Sequence, residues 1–143
     1  MGFLLLCLMS MAPAVADEAI TEIALRRSPC FGKCPVDEVI LRSDGTAEYV
    51  GTRFVPRLGK YRGKLAPADF ETLAKLLADR KFFALDARYA RPITDQATWT
   101  TSAKRGAVEK KVEDYGGAGP EGLKEIERRI VEVMDRIEWQ KAG

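Results

Sequence analysis

Two cysteines four positions apart, Cys30 and Cys34, constrain the fold of this chain more than any other feature. A disulfide between them requires their Cα atoms to lie within about 7 Å, whereas four extended residues would separate them by roughly 13 Å. The chain must therefore turn back between them, and Gly32 permits that turn. Pro29 and Pro35 lack backbone donors and do not suit a central strand, so they bound a tight loop.

The amino-terminal segment determines whether that disulfide can form. Residues 3–12 are apolar but too short to span a bilayer, and a small-x-small cleavage sequence ends at Ala16. We expect a signal peptide at residues 1–16 and a single periplasmic or secreted domain over residues 17–143. Cys7 lies within the apolar run, so the exported chain keeps two cysteines, an even number in an oxidising compartment.

The charge balance argues against several classes of partner. The chain has 23 Lys and Arg residues against 21 Asp and Glu residues, a net charge of +2. Such a balance is not typical of a nucleic-acid or membrane-surface binder. We therefore expect no nucleic acid and no stable membrane insertion after signal cleavage. The expected partner is an unidentified envelope protein or component.

The absence of histidine excludes several enzyme classes. Ser-His-Asp and Cys-His nucleophile systems and His-containing zinc sites all require it. The adjacent carboxylates of Asp37-Glu38 and of Glu113-Asp114 point to opposite faces of their strands. Only a tertiary pairing, such as Asp95 with Asp114, could therefore support acid-base chemistry. We assign no catalytic residue, no metal site and no cofactor, and we favour a non-enzymatic role.

Hydrophobic periodicity predicts an α+β domain that begins with an antiparallel meander of four strands. Alternating apolar residues predict these strands at 20–27, 36–42, 46–51 and 60–65. Ser43-Asp44-Gly45 is a hairpin signal. A three-residue loop with Gly45 in the left-handed region sets Leu41 opposite Ala47 and places the apolar side chains of both strands on one face.

The second half of the chain changes period. Apolar residues recur at helical spacing over 67–80 and again over 120–137, which predicts two helices. Between them, residues 98–102 and 107–115 predict a second hairpin around Lys104-Arg105-Gly106. We expect the meander and this hairpin to form the sheet, with both helices packed on one of its faces.

One lysine stands out in the second hairpin. A three-residue loop there sets Thr98 opposite Val112 and places Lys110 on the more apolar face, between two valines. Lys110 then either forms a buried polar pair with a carboxylate, such as that of Asp95, or extends its ammonium to solvent at an edge. We favour the second interpretation.

Several segments together match a known pattern. They are Ser-Pro-Cys-Phe-Gly-Lys-Cys-Pro-Val at 28–36, Ser-Asp-Gly-Thr at 43–46 with Tyr49 and Gly51, Thr94-Asp95, and Lys-Val-Glu-Asp-Tyr-Gly at 111–116. In these segments the chain resembles the family catalogued as domain of unknown function 6438. The resemblance implies a small exported bacterial domain and no activity. Asp37 departs from the pattern, which has an aromatic residue there, so we expect Asp37 at the rim of the core.

The preferred function is a non-enzymatic exported domain that binds an envelope protein or component. In this interpretation a Cys30–Cys34 disulfide fixes the loop that the domain presents. The candidate residues of this functional loop are Phe31, Gly32, Lys33 and Pro35.

Two alternatives remain open from the sequence. The first is a thiol-disulfide redox protein or a Cu(I)-handling protein that uses Cys30 and Cys34, because Lys33 could lower the pKa of a thiolate. The second is a small-ligand carrier on the sheet face that the helices leave uncovered, where Ile40 and Trp99 would be exposed.

Overall fold

A computed structural model describes residues 18–143 of the protein. The predicted signal peptide at residues 1–16 lies outside this range. The elements in chain order are β1 (Ile20–Arg27), β2 (Val36–Arg42), β3 (Thr46–Arg53), β4 (Gly59–Lys64), α1 (Pro67–Asp79), a 3₁₀ turn (Phe82–Ala84), β5 (Arg88–Ala90), β6 (Thr98–Arg105), β7 (Val108–Tyr115), α2 (Glu121–Arg136) and β8 (Gln140–Lys141).

Eight strands form one sheet in the order β5-β7-β6-β1-β2-β3-β4-β8. Neighbouring strands are antiparallel, except that β5 and β7 are parallel. The α+β class is therefore confirmed in outline, but the predicted sheet of a meander and one further hairpin is too small. The additional edge strands β5 and β8 have 3 and 2 residues, too few to show a period in the sequence.

The first hairpin has the predicted register. Leu41 lies opposite Ala47 and Val39 opposite Tyr49, and Gly45 has a φ of 90°. The turn is further stabilised because Asp44 Oδ1 accepts a hydrogen bond of 2.9 Å from the backbone N–H of Thr46.

The second hairpin is formed as well, but its predicted register is wrong. Thr98 lies opposite Tyr115 rather than Val112, and Val112 lies opposite Thr101. The turn has two residues and begins at Gly106, whose φ is 54°. Thr101 and Val112 are both 0% exposed, so the burial of this cross-strand pair selects a register that the turn residues alone did not indicate.

One core joins the sheet to both helices. The sheet residues of this core project from one side of the sheet, here called the core side, and the opposite side is the outer side. The largest fully buried side chains are Ile23, Leu25, Val39, Leu41, Tyr49 and Val112 from the sheet, Leu73 and Leu77 from α1, Phe82 from the 3₁₀ turn, and Leu123, Ile126 and Ile130 from α2. Each fully buried side chain of this size stabilises the fold by about 1.5–3 kcal/mol.

The two helices are also joined by ion pairs at their ends. Arg136 lies 3.0 Å from Asp69 Oδ1, and Arg80 lies 2.7 Å from Glu125 Oε2. Within residues 18–143, no helix is long and apolar enough to cross a membrane.

Candidate functional site

The disulfide predicted between Cys30 and Cys34 is present and closes the connection between β1 and β2. Their Cα atoms lie 5.7 Å apart, within the range that a disulfide requires. Because β1 and β2 are neighbours near the middle of the sheet, the loop emerges at the centre of one end of the sheet. We call this the loop end.

A second segment holds the disulfide loop in place. The backbone N–H of Phe31 donates a hydrogen bond of 3.0 Å to the carbonyl of Asp95. Ser28 N–H donates to the carbonyl of Thr98 at 3.0 Å, and the Thr98 N–H donates to Ser28 Oγ at 2.8 Å. Asp95, with a φ of 64°, therefore supports the loop through its backbone carbonyl rather than its carboxylate.

The structure does not bring Asp95 and Lys110 together. Lys110 is opposite Ala103, toward the hairpin turn, and its ammonium donates a hydrogen bond to the carbonyl of Leu85. Asp95 precedes β6 and is exposed at the loop end. The two residues are separated because the observed register differs from the predicted one.

The candidate loop residues differ in exposure. Phe31, Gly32 and Lys33 are exposed, whereas Pro35 is half-buried. Phe31 is 88% exposed, which makes it the most exposed large hydrophobic residue of the described chain. Gly32 has a φ of 137°, so the turn predicted between the cysteines depends on glycine.

Beneath the loop, a row of polar residues crosses four strands on the core side. The cross-strand pairs run from Asp114 to Trp99, from Trp99 to Arg27 and from Arg27 to Asp37. The next row inward is mostly apolar and consists of Val112, Thr101, Leu25 and Val39. The polar row therefore marks the boundary between the core and the loop end.

One half of the polar row is a charge pair. Arg27 Nε donates to Asp37 Oδ1 at 2.7 Å, and the Tyr49 hydroxyl donates to Asp37 Oδ2 at 2.9 Å. Burial and the hydrogen bond to Asp37 raise the pKa of Tyr49. Asp37, expected at the rim of the core, begins the core-facing side of β2 and is only 5% exposed. Arg27 allows this burial because it neutralises the carboxylate.

The other half of the polar row borders a cleft of about 310 Å³. Its wall includes Cys34, Gln96, Trp99, Asp114, Lys124 and Glu127. Trp99 was expected on the uncovered face of the sheet beside Ile40, but it lies on the core side in the polar row. Ile40 lies on the outer side, opposite Glu48, so the two residues do not share a ligand-binding face.

Asp114 and Glu127 form a buried carboxyl pair in this cleft. They are 2% and 7% exposed. Asp114 Oδ1 accepts a hydrogen bond of 2.9 Å from the Gly119 N–H. A Cβ at position 119 would lie 2.7 Å from Leu123 Cδ2, so a larger residue there would have to displace the Leu123 side chain.

Glu127 keeps its proton at neutral pH. Burial, followed by the hydrogen bond and the charge of Asp114, raises the pKa of Glu127 to about 9 against the opposing charge of Lys124. Glu127 is therefore protonated at pH 7 while Asp114 accepts its hydrogen bond. A positive group close to both carboxyls would favour the ionised form of Glu127 and release this proton.

Glu127 was not identified as a candidate from the sequence, although a signal was present. The sequence allowed a tertiary carboxyl pair but named Asp95 as the partner of Asp114. Glu127 follows Leu123 by four positions and precedes Ile130 by three, so it lies on the apolar face of α2. A lone acid in such a stripe must find a partner inside the fold.

A metal site in a protein is usually formed by several His, Cys, Asp or Glu side chains. Among residues 18–143, no group of three or more His, Cys, Asp or Glu side chains is placed to hold a metal ion. The two cysteines are joined to each other.

Comparison with known protein families identifies a match over most of the chain. The model of the family described as Domain of unknown function (DUF6438) matches residues 21–134, a range that includes the disulfide loop and both cleft carboxyls. No curated protein matches the chain.

Proposed function

The chain belongs to the Domain of unknown function (DUF6438) family, and we propose that it is an exported, non-enzymatic domain that binds an envelope protein or component through its disulfide loop. The observation that carries this proposal is Phe31, which is 88% exposed on a loop closed by a disulfide and hydrogen-bonded to the neighbouring segment. Aromatic side chains are frequent anchors of binding surfaces because they bury a large area at a low entropic cost.

The rigidity of the loop supports this role. A flexible loop loses conformational entropy when it binds, whereas a loop already fixed in its bound form does not. The disulfide restrains Phe31 from both sides, and the hydrogen bond to the Asp95 carbonyl fixes its backbone. Phe31 is therefore presented to a partner in a single backbone conformation.

Other exposed apolar residues lie at the same end of the sheet. Phe54 and Leu58 belong to the connection between β3 and β4, and Ile93 belongs to the segment before β6. Their exposed fractions are 49%, 58% and 45%. Because these connections and the disulfide loop all lie at the loop end, the apolar surface available to a partner extends beyond Phe31.

The proposed compartment and architecture agree with this function. A disulfide persists in an oxidising compartment, which supports cleavage of the predicted signal peptide after Ala16 and export of residues 17–143 as one domain. We also infer that both helices cover the core side of the sheet, because their buried residues join the same core cluster. The loop end then remains open to a partner.

The surroundings of the cysteines favour a structural disulfide over a redox-active one. Redox-active cysteines have a thiolate stabilised by a helix N-terminus or a neighbouring cation. Here the bridge connects two strands, and the neighbouring Lys33 is exposed to solvent. Cys34 lines a cleft that holds two carboxyls as well as the ammonium of Lys124. This environment does not favour a thiolate at Cys34.

Site-specific photocrosslinking tests the proposed binding surface. The photoreactive analogue p-benzoylphenylalanine replaces Phe31 in one variant and Val108 in a matched control, in cells that export the protein. Val108 is also exposed, at 53%, but it lies at the opposite end of the sheet. We expect a discrete crosslinked product from position 31 and none from position 108. The same products from both positions, or none from position 31, would contradict the proposal.

A further inference from the structure

The cleft beneath the disulfide loop combines two buried carboxyls with an aromatic wall, which is the chemistry of a site for an organic cation. We propose that this cleft binds the alkylammonium group of a lysine side chain, held by Asp114 and Glu127 and lined by Trp99. The inference does not depend on Phe31 or on the binding surface proposed above. It assigns a separate ligand chemistry to the inner side of the loop end.

Glu127 carries a hydrogen-bond acceptor that is unsatisfied. Glu127 is 7% exposed, and its Oε1 atom is buried with no hydrogen-bond partner in the described part of the chain. Buried polar atoms are nearly always paired, so an exception calls for an explanation. Glu127 lines the cleft, so we infer that a donor bound there pairs with this oxygen.

The donors of an ammonium group match the acceptors of the two carboxyls. Asp114 uses Oδ1 to accept the Gly119 N–H, and the oxygen that accepts the Glu127 proton becomes available to a ligand once that proton leaves. An ammonium group carries three donors and no acceptor. It can therefore donate to both carboxyls at once, and its positive charge removes the repulsion that two ionised carboxylates would have.

The wall of the cleft includes an aromatic ring that attracts cations. Trp99 is half-buried and lines the cleft. The guanidinium of Arg27 already lies 5.3 Å from the centroid of its ring, as expected for the attraction of a cation to an indole. The aliphatic stem of a lysine can pack on such a ring, and a cleft of about 310 Å³ has the size of a small-ligand site.

The protein's own cation at the cleft, Lys124, forms its ion pair with Glu121 and not with Glu127. Lys124 lines the cleft, but its ammonium lies 3.6 Å from Glu121 Oε1. The charged groups that face Glu127 are therefore Asp114 from β7 and Lys124 from α2. The remaining wall residues Gln96 and Trp99 are uncharged, and Cys34 does not titrate because it is in the disulfide.

Binding of the lysine ammonium must displace the proton that Glu127 carries. Below about pH 9 the pair carries a proton on Glu127, and the incoming ammonium takes its place while that proton leaves to solvent. The ligand keeps its own charge, because the pKa of a lysine amine is about 10.4. The affinity should therefore rise about tenfold per pH unit between pH 6 and 8.

An NMR titration with Nα-acetyl-L-lysine methylamide tests this exchange. The protein has two tryptophans, and Trp139 donates its indole N–H to the carbonyl of Met134, outside the cleft. We expect the Trp99 indole signal to shift on titration and the Trp139 signal to stay. The dissociation constant should fall about 100-fold from pH 6 to pH 8. Nα-acetyl-L-norleucine methylamide, which lacks the charge, should bind at least about tenfold more weakly.

Two variants decide whether the carboxyl pair is responsible. Glu127→Gln keeps the shape of the protonated side chain, so the variant should fold, but it should lose the pH dependence and bind the lysine probe at least about tenfold more weakly. Glu132→Gln, on the exposed face of α2, is the matched control and should bind like the wild type. Phe31→Ala should also bind the probe normally.

Different results would contradict the lysine-binding proposal and the proposed binding surface. A Trp99 shift that is independent of pH, a lysine probe that binds no better than norleucine, or unchanged binding by Glu127→Gln would each overturn the proposal. Normal binding of the lysine probe by Phe31→Ala, together with loss of crosslinking from position 31, would leave this inference standing while the proposed binding surface fails.

Discussion

At the scale of single residues, two buried acids are stabilised in different ways. The Asp37 carboxylate accepts hydrogen bonds from the Arg27 guanidinium, whereas the raised pKa of Glu127 keeps this carboxyl protonated beside Asp114. An ion pair keeps its charge over a wide pH range, but a shared proton ties stability to pH. The difference arises because a guanidinium faces one acid and a second carboxyl faces the other.

Glu127 should dominate the pH dependence of stability in the neutral range. Its pKa is raised from 4.5 to about 9 on folding, so the folded state binds the proton that the unfolded state releases. The free energy of unfolding should therefore fall as the pH rises from about 5 to 9, by roughly 1 kcal/mol per pH unit. Urea denaturation at several pH values measures this slope.

The sequence provides a clean background for that measurement. The chain has no histidine, the side chain that ordinarily titrates between pH 5 and 8. Glu127→Gln should remove most of the slope and unfold at higher urea concentration than the wild type at pH 8. A variant with the same slope as the wild type would show that Glu127 is not the titrating group.

At the scale of elements, the loop end is held by contacts that cross several strands. The Arg27–Asp37 pair joins β1 to β2, and the Tyr49 hydroxyl adds β3. The Ser28 and Phe31 hydrogen bonds join the disulfide loop to the segment before β6. The presented loop therefore depends on polar contacts near its base as well as on the disulfide.

Removal of the charge at Asp37 should destabilise this part of the fold. Asp37→Asn leaves the Arg27 guanidinium buried without its counter-charge, and breaking a buried pair in this way costs about 3–5 kcal/mol. Glu38→Gln, on the next residue and the outer side of the same strand, should change the free energy of unfolding by less than about 0.5 kcal/mol. Equal urea midpoints for the two variants would contradict this account.

The elements also show what the sequence could predict. Gly45 identified the first hairpin and its register because its turn signal and the apolar alternation of Leu41 and Val39 agree. In the second hairpin the turn signal and the burial pattern disagree. The predicted three-residue turn would place Val112 opposite Thr98, whereas in the structure Val112 lies opposite the buried Thr101. The edge strands β5 and β8 were missed because their pairing depends on tertiary contacts rather than on a local pattern.

The site residues could likewise be predicted where a local pattern determines them, but not where they depend on tertiary contacts. The disulfide could be predicted because two cysteines and a glycine impose a geometry within five positions. The pairing of Asp114 with Glu127 could not, because β7 and α2 approach each other only in the folded protein. The stripe position of Glu127 indicated a buried acid without indicating its partner.

At the scale of the whole molecule, the two ends of the sheet have different characters. The loop end carries the disulfide, the exposed Phe31 and the cleft with its carboxyl pair, while the opposite end carries the tight turns at Gly45 and Gly106. This asymmetry fits the proposal that the domain presents its loop end to a partner and uses the rest of the sheet as a rigid support.

The central claim, that an exported domain presents a loop fixed by a structural disulfide, is tested most directly by the intact mass of the exported protein. The protein is alkylated under native conditions before and after graded reduction. We expect the mass of residues 17–143 less two hydrogens, with no alkylation until strong reduction or unfolding. A bridge that opens at about −120 to −270 mV, the range of thiol oxidoreductases, would instead make the cysteines the reactive centre and contradict the account.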